Sequence, residues 1–140
     1  MFTDIKREMD NPAVHKILSF VADDNSPAGI AEIIHKYQSR TDVDFYAWVE
    51  DGEPLGICGF DIHNDKIRIR IISVDENARN RGVGSAMVTA LQKIYGKDIE
   101  ADTNDAAVGF YLKRGFAATE YTDETRGKRY SCVLRISQGE

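Results

Sequence analysis

Residues 66–84 place the tightest constraint on how this chain can fold. Lys66 to Val74 alternates in polarity, with Ile67, Ile69 and Ile71 on one face, and so reads as a half-buried strand. After the loop Asp75–Arg81, an amphipathic helix opens on Gly82-Val83-Gly84. Its inward stripe is Val83, Met87, Val88, Leu91 and Ile94, and Gly96 closes it. A strand, a loop and a glycine-rich helix start form one way of holding phosphate. The first N–H groups of a helix have no intrahelical partner, and the helix dipole makes that end partly positive. Gly82 and Gly84 leave the approach open, and Arg79 and Arg81 add forked cationic donors. The segment is not a P-loop, because it lacks a Gly-Lys-Ser/Thr ending. Nor is it a dinucleotide fingerprint, since the third glycine position holds Met87.

The flanking segments predict a mixed α/β sheet with helices on both faces. Asn11-Pro12 and Ser26-Pro27 are helix starts, each a capping side chain followed by proline at the first helical position. Their apolar stripes are Val14, Ile17, Leu18, Val21 and then Ile30, Ile33, Ile34, Tyr37. Phe2 to Lys6 suits a short strand or part of a helix. Phe45–Glu50 and Leu55–His63 read as strands around an Asp51-Gly52 turn, and Asn64-Asp65 turns the chain again into Lys66–Val74. A turn at Asn64-Asp65 sets Ile62 opposite Ile67, Asp61 opposite Arg68, Phe60 opposite Ile69 and Gly59 opposite Arg70, with open space beside Arg70. A strand Asp98–Thr103 follows, then a helix from Asn104 to about Arg114 ended by Gly115. Phe116–Thr122 and Arg129–Ile136 make a closing hairpin. Nothing in this order suggests a linker or repeat, so residues 1–140 are read as a single domain.

Composition narrows the function classes. Eighteen basic and 23 acidic residues give a net charge of −5, which argues against nucleic acid as a partner and tilts slightly toward a cationic small molecule. No apolar run is long enough for a membrane helix, and Met1 to Lys6 lacks a signal-peptide layout. A cytoplasmic protein is the expectation. Cys58 and Cys132 lie in apolar runs and read as core. His15, His35 and His63 are scattered, so no metal site is expected.

Two motifs now stand in order. Arg79-x-x-Gly82-x-Gly84 follows a strand, and Asn104-x-x-Ala107-x-x-Phe110-Tyr111-x-Lys113-x-Gly115-Phe116 follows the next one. Over residues 45 to 136 the chain resembles the GNAT superfamily of N-acetyltransferases. The resemblance implies a mostly antiparallel sheet splayed at one parallel strand pair. Acetyl-CoA would enter the gap between the end of Lys66–Val74 and the start of Asp98–Thr103. Main-chain groups of Ile72 and Val74 would pair with its pantetheine arm. The stretch Arg79 to Ser85, including Arg81, Gly82, Val83 and Gly84, would hold its pyrophosphate. Asn104 would contact the pantetheine or its sulfur end. Tyr111 would donate a proton or hydrogen bond to the departing thiolate. Many relatives carry a carboxylate base on the central strand, and none is present in Ile67 to Ile72; Glu100 and Asp102, on one face of the next strand, are the nearest acids. The implied reaction is direct transfer of acetyl to a primary amine on a small molecule or peptide, in a ternary complex. The alternative is an acyl-CoA-binding sensor without turnover. A homodimer through the C-terminal strands is a further expectation.

Overall fold

The computed structural model describes residues 1–136. The chain runs β1 (Phe2–Asp4), α1 (Pro12–Ser19), α2 (Pro27–Ser39), β2 (Asp44–Glu50), β3 (Glu53–His63), β4 (Lys66–Val74), α3 (Val83–Tyr95), β5 (Ile99–Thr103), α4 (Val108–Lys113), β6 (Ala117–Asp123) and β7 (Gly127–Leu134). The ambiguous N-terminal segment is a strand: β1 pairs with β2. The seven strands form one sheet in the order β1-β2-β3-β4-β5-β7-β6. Every neighbouring pair is antiparallel except β4–β5.

Local chemistry sets the element boundaries. The Asn11 side chain accepts a hydrogen bond from the Ala13 N–H at 2.9 Å, and Ser26 Oγ accepts one from Gly29 at 3.2 Å. Each cap satisfies a donor that the first turn leaves free. Asn64 and Asp65 both take positive φ, 51° and 62°, the geometry that a two-residue hairpin turn needs. The sheet separates two apolar clusters. Val14, Ile17, Leu18, Ile30 and Tyr37 of α1 and α2 cover one face. Met87, Val88 and Leu91 of α3 and Tyr111 of α4 cover the other, around Phe60, Ile67 and Ile99. Burying each large apolar side chain here contributes about 1.5–3 kcal/mol.

Four expectations need correction. Val21 lies beyond the end of α1 and is 44% exposed, and Ile94 lies in the last turn of α3 and is 50% exposed. Asn104 does not open a helix directly. Its carbonyl and side chain hold the Ala107 N–H in a turn, and the helix proper starts at Val108. The gap between β4 and β5 opens at the other end of β5. Pairing covers Ile67↔Ile99, Arg68↔Glu100 and Ile69↔Ala101, and the strands part beyond that, toward Thr103.

The fourth correction concerns register. Ile62↔Ile67, Asp61↔Arg68 and Phe60↔Ile69 pair as expected, but Gly59 then faces Ile71, not Arg70. Arg70 is the extra residue of a β-bulge. No open space adjoins it through Gly59. A Cβ on Gly59 would lie 2.4 Å from the Tyr37 hydroxyl, so the missing side chain is what lets Tyr37 reach the sheet. The bulge also reverses the strand's faces. Ile67 and Ile69 pack with α3, whereas Ile71 turns to the α1–α2 side and Ile72 and Val74 return to the α3 side.

Candidate active site

The bulge re-aims the backbone as well as the side chains. The Ile67 N–H donates to Asp98 C=O, so before the bulge odd-numbered residues address β5. The Asp75 N–H donates to Leu55 C=O, which makes Gly56↔Val74 a non-hydrogen-bonded pair. The N–H and C=O of Val74, and of Ile72 two residues earlier, therefore point away from β3. They face the gap that β5 has left. Without the extra residue, that edge would belong to Ile71 and Ser73. Ser73 instead donates its hydroxyl to Ile17 C=O at 3.0 Å and ties β4 to α1.

At the end of this edge lies a cavity of about 460 Å³. Ile72, Val74, Arg79, Gly82, Val83, Gly84 and Tyr111 of the expected site all line it. Asn80 at φ 65° and Gly82 at φ 82° curl the loop in front of α3. The first α-helical bond there is Ala86 N–H to Gly82 C=O, and no side chain caps the helix. The N–H groups of Val83, Gly84 and Ser85 are thus left for a ligand. Arg79 donates to Val74 C=O at 3.2 Å and its guanidinium lies 4.9 Å from the Phe20 ring centre.

Gly84 has a role that its position in the turn did not reveal. A Cβ there would lie 2.7 Å from the Phe110 ring and 2.9 Å from Arg114, so its absence lets α4 close on α3. Arg114 stacks on Phe110 at 3.6 Å and donates to Phe110 C=O at 2.6 Å. It lines the cavity, and its buried Nε has no partner among the described residues. Nothing in the sequence marks Phe20 or Arg114, and Phe110 appears there only as a member of the second motif. Arg114 sits inside the second motif, between Lys113 and Gly115, at a position the motif leaves open.

Arg81, Ser85 and Asn104 do not line the cavity. Arg81 is exposed and lies 3.6 Å from Glu50, and the Asn104 side chain is occupied by Ala107. Tyr111 is buried between the rings of Phe110 and Phe116, with centroids 5.1 Å away on each side. Burial raises the pKa of its phenol, so the hydroxyl stays protonated at neutral pH.

A second cavity of about 510 Å³ opens on the α2 side of β4, along Arg68 to Ile71. Tyr37 and Lys36 of α2, Asp102 of β5, Arg126 and Arg129 complete most of its wall. Asp61, only 4% exposed, lies beneath it. Arg68 grips both Asp61 oxygens at 3.0 and 2.9 Å, and Arg70 Nε takes one of them at 2.8 Å. Burial alone would raise the pKa of Asp61. The hydrogen bonds from the two guanidiniums outweigh burial and hold the carboxyl below the ordinary aspartate range. Of the two acids expected near the chemistry, Asp102 lines this cavity and Glu100 does not. Asp102 accepts from Arg129 at 2.8 and 2.5 Å and from the Tyr121 hydroxyl, with Arg126 3.6 Å away.

Cys58 and Cys132 are buried and unpaired, and burial raises the pKa of both thiols, as suits core residues. Among the described residues no group of His, Cys, Asp and Glu could hold a metal, and no helix is long and apolar enough to cross a membrane.

The model of the acetyltransferase (GNAT) family matches residues 11–116. An uncharacterized N-acetyltransferase from the lysA 3′ region of Bacillus methanolicus is 29% identical over 93 residues, 65% of this chain and 78% of that protein. Among solved structures, an aminoglycoside 6′-N-acetyltransferase complexed with coenzyme A superposes with a TM-score of 0.75 at 14% identity, covering 100% of this chain and 99% of that one. The ribosomal-protein-S18-alanine N-acetyltransferase of Escherichia coli gives 0.70 at 18% identity, over 100% and 96%. At these identities the structural likeness is one of fold, and the family match extends well beyond half of the sequence. The chain belongs to the acetyltransferase (GNAT) family and is an acetyl-CoA-dependent N-acetyltransferase.

Proposed function

We propose that acetyl-CoA lies along the free edge of β4, with its pyrophosphate at the start of α3, and that the amine acceptor enters from the second cavity. One observation carries this reading. Ile72 and Val74 line the first cavity, Arg68 to Ile71 line the second, and the bulge at Arg70 joins them. A thioester running along Val74 toward Ile72 ends where the acceptor cavity begins.

The amine nitrogen attacks the acetyl carbonyl carbon, a C–N bond forms, and the C–S bond to CoA breaks. Tyr111 lines the first cavity, and its hydroxyl gives the thiolate its proton and regains one from water. The amine's proton leaves through water toward Asp102, because the oxygens of Asp102 already hold Arg129 and Tyr121. Glu100, set beside Arg68 by the parallel register, serves charge balance. Neither buried cysteine takes part, so the transfer is direct. The unpaired thiols also fit a reducing compartment, in keeping with a cytoplasmic location.

Calorimetric titration with acetyl-CoA, ATP and NAD, followed by an amine panel read by mass spectrometry, tests this. The expected result is binding of acetyl-CoA alone and acetylation of at least one amine class. Binding without turnover of any amine would favour the sensor reading.

A further inference from the structure

The charge of the acceptor cavity runs against that of the chain. The protein carries −5 overall, yet the wall of the second cavity holds five cations, Lys36, Arg68, Arg70, Arg126 and Arg129, against one lining acid, Asp102. The neighbouring carboxylates do not cancel them. Asp61 is buried beneath the wall and shared by Arg68 and Arg70. Asp102 is shared by Arg129, Arg126 and the Tyr121 hydroxyl. Asp123 engages Arg126 from outside the lining, and Glu100 lies beside Arg68. Asp42 also reaches toward Arg70 but is taken by Arg40. Asp61, Asp102, Asp123 and Glu100 against the five lining cations leave one positive charge in excess. Lys36 pairs with no acid among the described residues. No lining carboxylate is free to grip a substrate's ammonium group, whereas Lys36 and the unused Nη1 of Arg70 can meet an anion.

We infer that the acceptor is an amine that also carries an anionic group, a carboxylate or phosphate, held by Lys36 and Arg70 while its nitrogen reaches the gap beyond Ile69. This reverses the cationic acceptor that net charge alone suggested, because specificity follows the charges that line the site. The inference rests on the proposed placement of the acceptor in the second cavity.

The test compares kcat/KM for matched acceptors. β-Alanine and phosphoethanolamine carry the anion, β-alaninamide and ethanolamine lack it, and putrescine replaces it with a second cation. The anionic member of each pair is expected to exceed its neutral counterpart by at least about tenfold, with putrescine poorest. The better of the two anionic amines identifies carboxylate or phosphate as the preferred group. Lys36→Glu, a surface change on α2, should narrow the anionic-over-neutral ratio by about tenfold, and Arg126→Gln should narrow it by less. Equal or better turnover of the neutral or dicationic amines would overturn the anionic acceptor and leave the acetyl-CoA site standing. Turnover of none of the five while acetyl-CoA still binds would do the same. Loss of acetyl-CoA binding itself would take down the cofactor placement, and this inference with it.

Discussion

The proposed cofactor cradle and the proposed acceptor cavity are cut from the same strand but are built from different materials. The cradle is mostly backbone: the free N–H groups of Val83, Gly84 and Ser85, and the outward edge of Ile72 and Val74. The acceptor cavity is made of side chains drawn from α2, β4, β5, β7 and the loop before β7. Backbone donors do not depend on side-chain identity, so the cradle tolerates change wherever the fold of β4 and α3 survives, and the rest of acetyl-CoA along the β4 edge must supply the selectivity over other pyrophosphates. A side-chain cavity is specific, and its exposed members, such as Lys36 and Arg126, can be exchanged without moving the sheet. The difference teaches where this protein's selectivity resides.

Four substitutions would break or sharpen that contrast. The largest effect is expected from Tyr111→Phe, which removes only the hydroxyl. It should lower kcat by about 100-fold and leave acetyl-CoA affinity nearly unchanged by calorimetry. A parallel loss in both would make Tyr111 part of the cradle's packing. Gly84→Glu should cut acetyl-CoA affinity by roughly 100-fold, because its Cβ displaces Phe110 and Arg114 and its charge repels phosphate. Circular dichroism would establish that the variant folds, and unchanged affinity in a folded sample would refute the phosphate assignment.

Asp61→Asn acts on the other region. Two guanidiniums lose their shared carboxylate, and stability should fall by about 2 kcal/mol in urea. The pH dependence has a definite sign. The pKa of Asp61 is lowered in the folded state, so its contribution is complete above the unfolded value, about 3.9. It is lost as pH falls through the lower folded value. Urea midpoints of wild type and Asp61→Asn should converge as pH drops below about 4. The smallest effect belongs to Arg81→Ala. That side chain lies exposed beside Glu50, so acetyl-CoA affinity should change by no more than about threefold.

The same contrast explains what the sequence revealed. Turns, caps and strand alternation are local, so Asn11, Ser26, Asn64-Asp65, Gly82 and Gly96 marked their elements directly. The cradle is legible for that reason: its residues lie within one stretch, and a second motif carries Tyr111. The bulge is not legible in the sequence, although Gly59 inside a strand is its signal. A one-residue insertion leaves alternation intact on either side and appears only when both strands are paired. Alternation alone therefore puts Ile71 on the wrong face. The acceptor cavity leaves little local trace: of its wall, only Asp102, as a nearby acid, and Arg70 stand out in the sequence. Lys36, Arg70, Asp102 and Arg126 are far apart in the chain, and only the sheet order brings β7 beside β5. Val21 and Ile94 show the complementary error, where helical spacing ran on past the surface that needed covering.

The central claim is that both substrates occupy the two cavities at once, on either side of the Arg70 bulge. Initial rates measured over a grid of acetyl-CoA and acceptor concentrations test it most directly. Intersecting double-reciprocal lines, with no acetyl group retained on the protein, are the predicted result. Parallel lines together with an isolable acetyl-enzyme would contradict it and require a nucleophile that this account does not assign.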